Sequence, residues 1–332
     1  MKIKISGSLA LIRNGLATTA FGGLLFTGLN TQAQTSDLAP SNRMAAKPID
    51  TNAQFIVNQA AATNGDPKAL LALAGHYDQG LGVAKDPVKA ADYARQAAEK
   101  DYPPAETALG SYYGRGIGVP KDLTEAIKWY RKAADQGYAL AEFAMGGFYK
   151  SGKGVTQDIG QAMQWYRKGA DQNDAACECE LGLIYFMGYK TDTYHPADYN
   201  ESFKWLKKSA DQGYVGAMNN LGLSYIYGYG VKMDTAEGAK WVRIAAGKGN
   251  PNAQAVLGGM YRAGSTVIPQ DLVAAYAWLT LSARGGNVEG KHSVKEVAAT
   301  LTPEELKRGQ EMLAYYAEHH HFKDASTDTV TH

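Results

Sequence analysis

The stretch LGSYYGRGIGVPKDLTEAIKWYRKAADQGY, residues 109–138, decides the fold. Leading into it, apolar residues fall at Ala105, Ala108, Leu109 and Tyr112, the i, i+3, i+4, i+7 stripe of an amphipathic helix. The run Arg115-Gly116-Ile117-Gly118-Val119-Pro120 then breaks the stripe, because glycine reaches positive φ and proline cannot continue a helix. Asp122 stands where it can cap a second helix. That helix has the apolar face Ala126, Ile127, Trp129, Tyr130, Ala133 and Ala134. Gly137 closes it in the manner of a C-terminal glycine cap. The stretch therefore predicts a helix, a glycine-rich loop and a second helix.

Working outward, the same pattern recurs. Gly80, Gly116, Gly152, Gly188, Gly228 and Gly264 are spaced 36, 36, 36, 40 and 36 residues apart. A tyrosine lies three residues before each: Tyr77, Tyr113, Tyr149, Tyr185, Tyr225 and Tyr261. An aspartate follows each (Asp86, Asp122, Asp158, Asp198, Asp234, Asp271), and a large aromatic comes seven residues after each aspartate. One helical hairpin cannot bury its own apolar faces, whereas stacked hairpins can, so the reading is an all-α solenoid. Glycine also recurs inside the first helix at Gly110, Gly146, Gly182, Gly222 and Gly258. Each costs about 1 kcal/mol of helix propensity relative to alanine, and a cost repeated at one phase predicts close approach of the paired helix.

The motif in residues 109–138 and its copies resembles the Sel1-like repeat family of the tetratricopeptide-like superfamily. The loop G-x-G-V and the 36-residue period carry the resemblance, which covers residues 67–287. It implies a right-handed α-solenoid of stacked helix-turn-helix repeats, with a concave groove lined by the first helices. It also implies protein–protein scaffolding. Flanking the repeats, residues 51–66 are read as an N-terminal capping helix and residues 288–318 as C-terminal capping helices. Thr302-Pro303-Glu304-Glu305 forms a capping box with proline at the first helical position.

The chain opens with Lys2, Lys4 and Arg13, no acidic residue before position 34, an apolar stretch Leu16–Leu29 and the small residues Thr31 and Ala33. This is the layout of a cleaved signal peptide over residues 1–33, and it predicts a periplasmic or secreted protein. Residues 34–50 read as a flexible lead-in and residues 319–332 as a polar, disordered tail. No other window is apolar enough to span a bilayer. The whole chain of 332 residues has a net charge of +1, and without residues 1–33 it keeps 31 basic against 33 acidic residues. That balance offers no long-range attraction for nucleic acid. Two cysteines cannot build a disulfide scaffold.

Departures from the period point to function. Repeat four carries four extra residues in Gly188-Tyr189-Lys190-Thr191-Asp192-Thr193-Tyr194-His195-Pro196-Ala197-Asp198 and lacks the second loop glycine. Repeat five follows with Tyr225-Ile226-Tyr227-Gly228-Tyr229-Gly230. Tyr189, Tyr194, Tyr199, Tyr227 and Tyr229 are thus expected on one edge, either covering the enlarged loop or forming a recognition surface. Tyrosine suits the second role through its large area and polar handle. By the family resemblance, the groove residues expected to contact a partner are Glu106, Glu142, Phe143, Asn219 and Asn220.

Other candidates carry less. Cys177 occupies a small, buried phase of the repeat and Cys179 a variable one that is expected to face the groove. Their spacing points them roughly 200° apart on a helix, which is poor for a disulfide. The His319-His320-His321 run lacks fixed geometry for a metal. The sequence holds no Ser-x-x-Lys, Gly-x-Ser-x-Gly, His-Glu-x-x-His or phosphate-loop signature, so no enzyme activity, catalytic residue, metal site or cofactor is expected. The functional expectation is an exported, non-enzymatic protein-interaction module that binds a protein or peptide segment. Family analogy adds two alternatives: a periplasmic immunity protein neutralising a secreted effector such as a lipase, and a β-lactam or cell-wall hydrolase.

Overall fold

The computed structural model describes residues 51–318. The expected signal peptide, lead-in and tail lie outside the described residues. The fold is all-α, a solenoid of helix-turn-helix repeats, and it divides into two compact units between Asp174 and Ala175. In the first unit, α1 (Thr51–Thr63) precedes three hairpins: α2 (Pro67–Gln79) with α3 (Pro87–Ala98), α4 (Pro103–Arg115) with α5 (Leu123–Asp135), and α6 (Ala139–Ser151) with α7 (Ile159–Asp171). In the second unit, α8 (Ala175–Met187) pairs with α9 (Tyr199–Asp211), α10 (Val215–Tyr227) with α11 (Thr235–Gly247), and α12 (Pro251–Ala263) with α13 (Leu272–Arg284). Then come α14 (Val288–Ala298) and α15 (Pro303–Glu318). The Thr302 capping box forms: Glu305 N–H donates to Thr302 Oγ1 at 3.3 Å while Thr302 N–H donates to Glu305 Oε2 at 2.9 Å.

Each hairpin closes the same way. The aspartate after the loop accepts a hydrogen bond from an N–H in the first turn of the second helix, as Asp122 does from Thr124 and Glu125 at 2.8 and 3.0 Å. The same residue's own N–H donates to the carbonyl of the periodic tyrosine, from Asp86 on Tyr77 at 2.8 Å to Asp271 on Tyr261 at 2.9 Å. Those recurring aspartates are therefore loop clamps and helix caps. One large apolar residue per repeat fills the core: Leu73, Leu109, Met145, Leu181, Leu221 and Leu257 are all at most 1% exposed. Each contributes on the order of 2–3 kcal/mol by burial.

The glycines inside the first helices have the packing reason their phase predicts. A Cβ on Gly146 would come within 2.5 Å of the Tyr166 ring. In repeat five both helices carry glycine, and Gly222 and Gly238 face each other's carbonyls. The second loop glycine plays a part that the sequence does not reveal. Gly118 (φ +67°) packs on the Pro87 carbonyl, and Gly230 (φ +70°) packs on the Tyr199 carbonyl. What reads in the sequence as turn punctuation is the joint between one repeat and the second helix of the repeat before it.

The glycine that ends the second helix is different. Gly137 has φ +79°, yet nothing lies within 4 Å of a Cβ built there. At the same phase repeats one and three place Asp101 (φ 55°) and Asn173 (φ 62°), residue types that tolerate the left-handed region. Gly137→Asn is therefore expected to leave the thermal midpoint within about 2 °C of wild type, a shift worth at most about 1 kcal/mol. Gly137→Val, which cannot relieve the positive φ, should lower it distinctly in the same melt.

Candidate interaction surface

The four polar residues expected in the groove are not presented to solvent. Glu106 is 0% exposed, Glu142 3%, Asn219 5% and Asn220 6%. The fourth position of the first helix faces the paired second helix, so a carboxylate there is enclosed and needs a partner. Glu106 receives Lys132 Nζ at 2.9 Å and Gln136 Nε2 at 2.7 Å. Glu178 receives Lys208 Nζ at 2.8 Å and Gln212 Nε2 at 2.5 Å. Gln172 donates to Glu142 at 2.8 Å. Asn220 sits beside Asn219, at 3.5 Å between amides. Phe143 is half-buried and lies against the Tyr166 ring at 5.9 Å. Glu106, Glu142 and Phe143 thus bridge a first helix to its paired second helix, and Asn219 and Asn220 are buried within α10, so the four polar residues present little surface to a partner. Cys177 and Cys179 are both buried, so Cys179 does not face an open groove either.

Burial pushes the Glu142 carboxyl above its ordinary range, against the opposing pull of Lys168 and the Gln172 hydrogen bond. The folded state thus binds this proton more tightly than the unfolded chain. Stability contributed through Glu142 is present below the ordinary glutamate range and is lost as pH rises through the raised value. Relative to wild type, Glu142→Gln should therefore gain stability as pH climbs from 4 to 7, measured as the difference in urea midpoints. A difference that stays flat or shrinks with rising pH would contradict this.

The enlarged loop of repeat four is not an irregular coil. It forms a short antiparallel ribbon, β1 (Tyr189–Lys190) with β2 (Tyr194–His195), in the register Tyr189↔His195 and Lys190↔Tyr194. The Asp198 N–H still reaches the Tyr185 carbonyl at 2.9 Å, so the extra residues project without disturbing the hairpin beneath. Tyr189 is held by stacking on the His195 ring (centroids 4.4 Å) and by an edge contact to Tyr185. Tyr194 points away from that stack and is 68% exposed.

The remaining three tyrosines do come together. The Gly230 joint on the Tyr199 carbonyl brings Tyr229 beside Tyr199, with ring centroids 4.9 Å apart. Tyr227 lies 5.9 Å from Tyr229, and Phe186 packs edge-on to Tyr229 at 5.2 Å. Tyr199 and Tyr227 are 41% and 43% exposed, and Met187 and Met233, at 45% and 65%, belong to the same two loops. Burial, reinforced by the neighbouring Tyr199 and Tyr227 phenols, raises the Tyr229 hydroxyl above its ordinary value. Among the described residues no group hydrogen-bonds the hydroxyls of Tyr199, Tyr227 or Tyr229. So the five expected tyrosines separate into a ribbon pair and a cluster of three.

A model of the Sel1 repeat matches residues 67–102, 103–138, 139–174, 175–214, 215–250 and 251–287. The chain belongs to the Sel1 repeat family. Sel1 repeat proteins are protein-interaction modules. A protective antigen of uropathogenic Escherichia coli with an SLR fold is 31% identical, with a TM-score of 0.72 over 82% of this chain. The Sel1 chain spans only 57% of that protein's length. A Sel1 repeat protein from Oxalobacter formigenes is 29% identical, with a TM-score of 0.62, and the match covers 71% of this chain and 97% of that one. An immunity protein from Pseudomonas aeruginosa is 17% identical with a TM-score of 0.42, over 75% of this chain and 86% of that one. At that distance its role says nothing of this chain. No curated protein matches. Among the described residues no helix is long and apolar enough to cross a membrane.

Phe186 packs on Tyr199 and Tyr229, Met187 and Met233 are exposed near by in sequence, and the Sel1 register contains a signal for them that composition alone does not. At the phase of Met233, just before the capping aspartate, other repeats carry Lys85, Lys121, Gln157, Ala197 and Gln270. At the phase shared by Met187 and Tyr227 they carry Gln79, Arg115, Ser151 and Ala263. At the phase of Phe186 they carry Asp78, Gly114, Lys150 and Arg262, with Ile226 in repeat five. The fold accepts polar and charged residues at the phases of Met187 and Met233, so the exposed Met187, Tyr227 and Met233 are not a folding requirement, whereas Phe186 also packs against the core of the second unit.

Proposed function

We propose that this Sel1 repeat protein is an exported, non-enzymatic interaction module. In this reading residues 1–33 are removed, the mature chain works in the periplasm or outside the cell, and it binds a protein partner through the loop edge of repeats four and five. One observation carries the reading: two phases that are polar in most other repeats hold the exposed Met187, Tyr227 and Met233 in repeats four and five, where Tyr199, Tyr227 and Tyr229 cluster. Contiguous exposed apolar side chains of this kind mark interaction sites. Tyrosine and methionine combine large contact area with an adaptable fit.

The test is site-specific photocrosslinking in cells, with the reactive side chain placed at Met233 and, as a control, at Lys85 in the same phase of repeat one. A discrete protein adduct at Met233 and none at Lys85 is the expected result, with the recovered chain beginning after Ala33. Equal adducts at both positions, or a chain retained in the cytoplasm with its first residues intact, would sink the respective halves of the reading.

A further inference from the structure

The edge of repeats four and five is set apart by charge as well as by its rings. At the three phases that hold Phe186, Met187 and Met233, other repeats place the cations Lys85, Arg115, Lys121, Lys150 and Arg262. Repeats four and five place Phe186, Met187, Ala197, Ile226, Tyr227 and Met233 there, and no cation. Elsewhere the chain covers aromatic faces with its own cations: Lys168 Nζ lies 3.9 Å from the Trp165 centroid, Lys89 5.3 Å from Tyr77 and Lys132 5.4 Å from Trp129. Arg131 serves two rings, 5.8 Å from Tyr149 and 5.9 Å from Trp165, and its Nη2 donates to the Tyr149 hydroxyl at 2.7 Å. Among the described residues no cation covers Tyr199, Tyr227 or Tyr229, although Lys190 and Lys232 belong to the same two loops. Those loops also carry Asp192, Asp198 and Asp234. Asp198 and Asp234 each use Oδ1 to cap a helix, at 3.0 and 2.9 Å. Among the described residues nothing bonds their second oxygens or the exposed Asp192 carboxylate.

We propose, building on the interaction reading above, that the partner docks through an arginine-bearing segment, with a guanidinium laid on the rings of Tyr199, Tyr227 and Tyr229. The face of an aromatic ring is negative and attracts a cation held over it. Arginine answers this edge better than lysine does. Its planar head stacks on a ring, is weakly hydrated and carries several donors in a fixed fork. Those donors match the phenol oxygens, which no group of the chain bonds, and the unspent carboxylate oxygens on the flanking aspartates. The Arg131–Tyr149 contact is the same pairing made within the chain. At the edge the chain keeps the rings and omits the cation. Methionine in place of lysine at position 233 removes a like charge from the approaching segment, and its thioether packs adaptably against an arginine stem. An acidic segment would meet ring faces and aspartates of its own sign. A neutral one would make the apolar contacts and gain nothing from either.

Calorimetric titration of the full chain tests this with a blocked peptide of alternating glycine and arginine, and with its citrulline, lysine and glutamate counterparts. Citrulline keeps the shape and the N–H donors of arginine and removes the charge. The arginine peptide is expected to bind saturably, the citrulline peptide at least about tenfold more weakly and the lysine peptide about threefold more weakly. Met233→Lys restores the charge that Lys85 and Lys121 carry at that phase, so the fold accepts it. It should weaken the arginine peptide at least about tenfold. Gln157→Lys adds the same charge at the same phase of repeat three and should change nothing. Tyr227→Leu keeps apolar bulk without a ring and should cost roughly fivefold. Circular dichroism melts check that the variants fold. No saturable binding of the arginine peptide, equal or tighter binding of any counterpart, or unchanged affinity in Met233→Lys or Tyr227→Leu would each overturn the proposal. So would an equal loss in Gln157→Lys, which marks diffuse charge attraction. If the Met233 crosslink nonetheless captures a discrete partner at a segment without arginine, the interaction reading stands and the arginine inference falls.

Discussion

Gly118→Ala should destabilise the first unit by about 3 kcal/mol or more, although it adds a single methyl group. Two separate costs coincide at that position. The backbone sits at φ +67°, where any L side chain costs roughly 1–2 kcal/mol. A Cβ there would also overlap the Pro87 carbonyl, a backbone atom at the start of α3 that cannot rotate away. Relief requires the loop to lift off the preceding repeat, and in a solenoid that joint is the nearest-neighbour interface on which cooperativity depends. Gly259→Ala supplies the contrast. It lies within α12, with nothing within 4 Å of an added methyl, so it should gain up to about 1 kcal/mol from helix propensity. Urea unfolding followed by circular dichroism separates the two. If Gly118→Ala costs no more than Gly137→Ala, the joint is not a rigid backbone contact.

This contrast shows what the sequence can and cannot convey. The hairpins are legible because their determinants are local: apolar periodicity, a capping aspartate, a closing glycine. Close helix approach is legible as well, since a glycine such as Gly146 has no other reason to recur in a helix interior. The role of Gly118 is not, because a positive-φ glycine looks the same whether it faces water or a neighbouring carbonyl. The ribbon at Tyr189 and Tyr194 is hidden for a related reason. Strands of two residues are too short to show alternation, and pairing is fixed by the closed loop beneath them.

The site is half legible on the same principle. Tyr199, Tyr227 and Tyr229 stand out by composition, but their grouping depends on the Gly230 joint, which is tertiary. Charge at a helical phase suggests exposure, and for Glu106 and Glu142 that signal misleads. The better signal lies thirty residues downstream, where Lys132 and Gln136 rise and fall with the glutamate. Repeats two to four carry Glu, Lys and Gln at the three phases (Glu106, Lys132, Gln136 and their copies). Repeat one carries Leu70, Gln96 and Lys100, and repeat five Met218, Ile244 and Lys248.

That internal co-variation predicts the second large effect. Lys132→Ala should cost about 2–3 kcal/mol, measured by the same urea unfolding. Glu106 is fully buried, and its charge is met by Lys132 Nζ at 2.9 Å and by the neutral Gln136 amide. Removing the ammonium leaves an enclosed carboxylate without a countercharge, and breaking such a pair from one side is strongly destabilising. The accompanying loss of the Lys132–Asp101 pair at 2.6 Å matters little, since Asp101 is largely exposed and such pairs are worth under about 1 kcal/mol. Rescue is the sharper test. Glu106→Leu with Lys132→Gln and Gln136→Lys installs the set that repeat one already uses, in which Leu70 is buried at the same phase. A well-packed apolar residue in place of a buried ion pair is often neutral or stabilising. The triple variant should therefore unfold within about 1 kcal/mol of wild type. If it is as unstable as Lys132→Ala alone, the buried carboxylate is not the source of the defect, and the glutamate would have to serve the fold of repeat two in a way that repeats one and five do without.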